Sequence, residues 1–231
     1  MRIWRFANPS DHGFAEAGRR GSWTPASGEG VCPECTASRQ RRAKPLVIEW
    51  RSGSDVVGDF TWVGYGEEVV TTEEVLDFLV DRFSGFEAGP VEMVQDPNLK
   101  RTNRAKSRVW LPYDGPPLRE LWVTTWVHID PERSSADLQR RCGTCGTEFW
   151  ELYGVEHWDS HFDQELKQLV RTKTERLPNA GVFVRESDLA GAHIFRVHEL
   201  PAWVFCTDPV REVVEKAGFS NVSFLEMGDT I

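Results

Sequence analysis

Hydrophobic and polar positions alternate from the first residues. Met1-Arg2-Ile3-Trp4-Arg5-Phe6 alternates apolar and basic positions, the pattern of a strand with one buried face. Short apolar runs at Leu46–Trp50, Phe60–Val63, Pro90–Val94, Val182–Val184, Ile194–Val197, Trp203–Thr207 and Val222–Leu225 predict further strands. The densest run, Leu121–Ile129, is rich in β-branched and aromatic residues and predicts one long strand.

Helical periodicity is rarer. Thr71 followed three residues later by Glu74 reads as a capping box, and Val75, Phe78, Leu79 and Phe83 form a one-faced stripe ended by Gly85. Asp208 as cap, with Pro209 at the first position, opens a second helix whose stripe is Val210, Val213, Val214 and Ala217, and Gly218 closes it. A third helix is expected over Phe162–Thr172. The fold class expected is α+β, with mixed and antiparallel sheets and few helices.

Two cysteine pairs interrupt this pattern. Cys32-Pro33-Glu34-Cys35 and Cys142-Gly143-Thr144-Cys145 are both C-x-x-C turns, and the chain has only one other cysteine, Cys206. Each turn can present two thiolates to the same ion, and four sulfurs are the number a structural tetrahedral zinc takes. The favoured reading is a structural zinc held by Cys32, Cys35, Cys142 and Cys145. Disulfides or unpaired thiols, a redox pair and a catalytic zinc stay open behind it. A redox C-x-x-C belongs at a helix start after a strand, whereas Thr147–Leu152 reads as a strand; four thiolates leave no open coordination position for catalysis. Residues 36–141 separate the pairs, so a zinc ribbon built on them carries a long insertion. The domain organisation expected is a discontinuous knuckle module over residues 1–45 and 130–160, an α+β insertion over 46–129, and a C-terminal segment over 161–231.

Charge narrows the partners. The net charge is −9, which disfavours nonspecific binding to nucleic acid and favours fast association with a basic partner. Basic runs at Arg39–Lys44 and Lys100–Arg108 read as solvated loops without the interleaved aromatics of a single-strand binder. Acidic residues gather at Glu67, Glu68, Glu73, Glu74 and Asp77, where they also suit the positive end of a helix. A second group holds Glu148, Glu151, Glu156, Asp159 and Asp163. These ten are the candidate partner-binding residues.

Catalytic patterns are weak. His157 and His161 stand four apart, but Trp158 occupies the place of the glutamate in H-E-x-x-H. Cys206 sits in an apolar run as a core thiol. No nucleophile elbow or phosphate loop is present, and the expectation is a non-enzyme. No apolar run is long enough to span a membrane and the start lacks a secretory h-region, so a cytoplasmic location is expected.

The two C-x-x-C motifs, the glycine at 146, the aromatic segment that follows and the ending Phe195–Val197, Pro201–Phe205, Val213–Phe219 and Val222–Phe224 resemble the double-CXXCG motif proteins, a paralogous family best known from myxobacteria. The first pair departs from the pattern, since Thr36 follows it, but that position is not a ligand. The resemblance covers essentially the whole chain. It implies an immunity protein of the toxin–immunity loci used in kin discrimination, binding a cognate cytoplasmic-acting toxin one to one. Several such toxins are basic nucleases, which the acidic balance suits. The alternative is a zinc-ribbon nucleic-acid-binding or transcription-associated regulator.

Overall fold

The alternating N-terminal segment is the strand Arg2–Ala7, and it lies in the middle of a sheet rather than beside the first cysteine pair. In this computed structural model, residues 1–9, 13–20, 23–24, 32–35, 41–42, 45–64, 68–102, 107–164 and 167–231 are described. Arg2–Ala7 pairs antiparallel with Phe205–Thr207 on one side and Ser223–Thr230 on the other. Ile194–Val197 and Trp126–Val127 extend the sheet beyond Phe205–Thr207, and Val182–Val184 closes the opposite edge, giving six strands.

A closed barrel of six short strands packs against this sheet. Its order is Ala17–Arg19, Leu46–Trp50, Phe86–Val94, Leu118–Val123, Glu68–Thr72 and Phe60–Val63, returning to the first through Ala17 beside Val63. Ala15, Leu46, Ile48, Trp50, Val63, Val70 and Leu118 fill its core. Closure removes free edges, which is how strands this short persist. The described residues are mostly β, with three helices: Glu73–Val80, Glu186–Leu189 and Asp208–Ala217.

Barrel and sheet share one apolar layer. Trp4, Phe6, Cys206 and Phe224 from the sheet meet Phe60, Trp62 and Leu121 from the barrel, with Leu76 and Leu79 of the first helix and Val210 and Val214 of the last between them. The other sheet face carries a second core of Ile3, Phe195, Phe205, Leu225 and Met227. Polar contacts pin the seam: Asn221 Nδ2 donates to the Phe60 carbonyl at 2.7 Å, and the Trp62 indole donates to the Asn221 carbonyl at 2.9 Å.

Several boundaries depart from the sequence expectation. The Leu121–Ile129 run does not form one strand. Leu118–Val123 belongs to the barrel and Trp126–Val127 to the sheet, because Thr124 and Thr125 both donate their N–H to the Gly85 carbonyl, at 2.9 and 3.1 Å, and turn the chain. Gly85 itself has φ +102°, and a Cβ there would meet the Ile194 carbonyl oxygen at 2.0 Å. The first helix ends at Val80, with Phe83 still packed on the core. Its cap is Thr72, not Thr71, and Thr72 Oγ1 accepts from Val75 N, which leaves Glu74 outside any capping box. The last helix is capped by Thr207; the Asp208 carboxylate instead accepts from Arg2 N and Trp4 Nε1 at 2.8 and 2.7 Å, tying the helix to the first strand.

The helix expected over Phe162–Thr172 is a β-hairpin. His157–Asp163 pairs antiparallel with Gln168–Thr174, His161 facing Val170. Val170, Thr172 and Thr174 are β-branched at alternate positions, a strand signal that local polarity obscured. Residues 2–7 and 17–19, expected within the knuckle module, are strands of the sheet and the barrel.

The Asp130 turn aims the second knuckle hairpin. Asp130 N donates to the Phe183 carbonyl, and its carboxylate accepts from Glu132 N and Arg133 N at 3.1 and 3.2 Å and pairs with Arg185 at 3.3 Å. Burial opposes its charge, but Arg185 and the two N–H groups prevail and hold its pKa below the ordinary 3.8. A depressed carboxylate stabilises the fold above its unfolded pKa and loses that contribution as pH falls through the folded value. Asp130→Asn is therefore expected to lower stability at neutral pH and to flatten its decline below pH 3.8, read from urea midpoints at stepped pH. An unchanged acid profile would remove Asp130 from the acid-labile set.

At the sheet edge, Val182 lies parallel to Gly228, and a Cβ on Gly228 would sit 1.6 Å from the Val182 carbonyl oxygen. Gly228→Ala is expected to cost about 3 kcal/mol, at the upper end of overpacking, because backbone must move rather than a flexible side chain. Equal melting midpoints for variant and parent would show that the edge strand yields freely.

Candidate metal centre and charged surfaces

The second cysteine pair sits at the tip of a β-hairpin. Ala136–Arg141 and Glu148–Leu152 pair antiparallel, and the second C-x-x-C is the turn between them. Gly146 takes φ +74°, a left-handed conformation that glycine adopts freely; its N–H returns to the Cys142 carbonyl, and Cys142 N donates to the Thr147 carbonyl, both at 2.8 Å. The first pair lies between Trp23–Thr24 and Arg41–Arg42, which also pair antiparallel. That excursion leaves the barrel after Ala17–Arg19 and returns at Leu46–Trp50, and these two strands are barrel neighbours.

The two tips meet. Cys32 Sγ lies 3.8 Å from Cys142 Sγ, and Cys35 Sγ lies 3.5 Å from Cys145 Sγ. All four sulfurs fall within 4.8 Å of one another; Cys32, Cys35 and Cys142 are buried and Cys145 is partly so. A tetrahedron of thiolates about an ion 2.3 Å away has edges of about 3.8 Å. The sulfur set therefore matches four-coordinate binding and can hold a metal ion. Among the described residues it is the cluster of metal-capable side chains that the fold assembles.

The surroundings act on the sulfurs unequally. The Thr147 hydroxyl, 3.0 Å from Cys145 Sγ, leads the contacts that draw that thiol down to about 6. The Cys145 N–H pulls Cys142 the same way, but burial and the adjoining Cys145 and Cys35 sulfurs outweigh it and carry Cys142 up to about 12. Four sulfurs this close repel once charged, and a divalent cation at their centre offsets that repulsion. Phe149 packs against the cluster, with the Arg140 guanidinium 4.1 Å above its ring.

Glu34 and Thr144 bring a further contact that sequence reading passed over. The Glu34 carboxylate accepts from the Thr144 hydroxyl of the opposite tip and lies 3.5 Å from Cys142 Sγ. The Thr144 hydroxyl first, then Cys142, hold Glu34 below the ordinary carboxylate range. Both residues occupy the variable places inside a C-x-x-C, where spacing alone assigns no role.

The acidic candidates divide. Glu68 is buried and paired with Arg19 at 2.8 Å. Glu156 is buried, pairs with Lys173 and accepts from Glu226 N at 2.6 Å. These two hold the fold together instead of facing outward. Glu73 pairs with Arg119 at 2.7 Å, and Glu74 and Asp77 are exposed on the first helix. Glu148 is held by Arg141 and the Trp150 indole. Glu151 is exposed and accepts from the Tyr153 hydroxyl at 2.7 Å; Asp159 is exposed and accepts from Thr174 Oγ1 at 2.8 Å. Glu67 and the Asp163 side chain lie outside the described residues. The exposed apolar side chains Leu138, Tyr153 and Phe162 lie on or beside the same two hairpins as Glu151 and Asp159.

Among the described residues, the histidines fall in three separate places. His157 and His161 are on one strand of the second hairpin; His157 contacts the Val155 carbonyl and Asp159. His193 meets Ser84 Oγ at 3.2 Å, and His128 and His198 stack with ring centroids 4.3 Å apart. Cys206 is fully buried, and desolvation pushes its thiol well above the usual value, the behaviour of a core residue. No helix among the described residues is long and apolar enough to cross a membrane.

Loss of one sulfur is expected to empty the cluster. Cys142→Ser should reduce bound metal from one ion per chain to a small fraction, measured by elemental analysis of the purified protein. A structural metal adds its binding free energy to folding, so the thermal midpoint should fall with the metal. Retention of metal and midpoint would show that the sulfurs are not ligands.

Residues 155–229 match the model of a family described as Immunity protein family (Imm11). The match takes in the second hairpin, the last two helices and most of the six-stranded sheet; all four cluster cysteines lie outside it. No curated protein matches the chain.

Proposed function

We propose that the chain is an immunity protein that binds a cognate protein toxin stoichiometrically and blocks it without catalysis. The observation that carries this reading is the immunity-family match over residues 155–229, a stretch containing a hairpin that pairs with no other strand among the described residues. Such a hairpin presents side chains on both faces. Phe162 is 60% exposed there, and Asp159 is exposed three residues before it. Exposed aromatic side chains are enriched at protein interfaces.

The net charge of −9 supports a basic partner, and a cytoplasmic-acting nuclease is the toxin class that suits it best. Exposed Glu74, Asp77, Glu151 and Asp159 provide steering charge, with Glu73 and Glu148 available at the cost of their arginine partners. Zinc is the metal that four thiolates favour, and its role is structural: Cys32, Cys35, Cys142 and Cys145 hold it and no coordination position stays open. The two cysteine-tipped hairpins then form a ribbon-like module interrupted by the barrel.

The test is growth of a heterologous host expressing toxins encoded beside this gene, with and without the chain, followed by association kinetics on the recovered complex. Rescue with a one-to-one complex is expected. Glu151→Lys/Asp159→Lys should slow association about tenfold and weaken its salt dependence, since rim charges act mainly on the on-rate. No rescue, with salt-sensitive retardation of nucleic acid instead, would replace the reading with a zinc-ribbon regulator.

A further inference from the structure

One cleft on the barrel carries charge opposite to that of the chain. It encloses about 500 Å³ between the Ala17–Arg19 strand, the end of Leu46–Trp50 and the returning Arg108, and four arginines line it against a single carboxylate, Glu49. Backbone bonds fix its walls: Arg51 N donates to the Glu16 carbonyl, Arg20 N to the Val47 carbonyl and Gly53 N to the Ser107 carbonyl, each at 2.8 Å.

The arginines are not equivalent. Arg19 is committed to buried Glu68, and Arg20 to Glu49. Arg51 reaches Glu16 only at 4.0 Å, with both side chains about half exposed. Arg108 has no carboxylate partner among the described residues; its guanidinium lies 5.7 Å from the Trp110 ring. Trp50 also lines the cleft, and its buried indole N–H has no hydrogen-bond partner among the described residues. Two guanidinium forks with uncommitted donors ask for a ligand rich in oxygen acceptors.

We propose that this cleft binds carboxylate side chains of an acidic peptide segment, giving the protein a basic contact with its partner beside the acidic ones. The identity of that partner rests on the immunity reading; the chemistry of the cleft does not. A polynucleotide fits less well. Trp50 is buried, so it offers no face on which a base could stack. The volume suits one or two side chains, and bidentate pairing rewards planar carboxylates.

The test uses the full chain and a fluorescein-labelled hexapeptide of glutamate and aspartate, followed by polarisation at low and physiological salt. Saturable binding is expected, weakened about tenfold or more in Arg51→Glu/Arg108→Glu. Arg133→Glu/Lys216→Glu makes the same change in net charge at exposed positions outside the cleft, and should leave binding within about twofold of the parent. No saturable binding, equal loss in both double variants, or tighter binding of a labelled oligonucleotide of equal length would each overturn the proposal. Growth rescue by the parent chain is scored separately. Its failure would refute immunity while the peptide titration still decides the cleft.

Discussion

Phe6, Phe60, Leu79, Leu121, Ile194 and Val210 meet in one apolar layer, and the rest of the molecule depends on it. These residues come from the first strand, the barrel, two helices and the C-terminal sheet. Neither the barrel nor the sheet can bury that surface alone. Hydrophobic burial is non-directional, so the layer supplies cohesion while polar contacts set orientation. Gly85, Asn221 and Asp208 do the latter: each makes or permits a bond between segments far apart in sequence. The chain crosses between barrel and sheet at Thr124 and Thr125, where one carbonyl takes both N–H groups.

That docking brings the cysteine tips together. One tip hangs from neighbouring barrel strands, the other from a hairpin aimed by the Asp130 turn. Their sulfurs approach to 3.5 and 3.8 Å. A metal there joins barrel to hairpin at a second point, far from the apolar layer. Two separated attachments resist hinging better than one. A rigid frame lowers the entropy lost when any surface of it is bound.

Charge is divided by location instead of spread evenly. Glu68 and Glu156 are spent inside, where arginine and lysine neutralise them. Exposed acids stand on the first helix and the two hairpins, and arginines gather in the barrel cleft.

Much was legible in the chain. The runs at Leu46–Trp50, Phe60–Val63, Val182–Val184 and Ile194–Val197 are strands with the expected limits, because short β-branched and aromatic runs between turn residues have few alternatives. Gly218 ends the last helix with φ +72°, as a left-handed cap should. The grouping of the four cysteines also followed from spacing, since two C-x-x-C turns in a chain otherwise nearly free of cysteine have one economical arrangement. Tertiary structure decided the remainder. Whether Leu121–Ile129 ran straight or broke depended on a carbonyl at Gly85, nearly forty residues earlier. Whether residues 162–172 coiled or paired depended on a partner strand, since cross-strand bonds are non-local and leave no helical period to read. Which glutamates faced solvent depended on where Arg19 and Lys173 came to lie. Local pattern sets what each segment can be; contacts between distant segments choose among those options, and here they also chose which charges remain exposed.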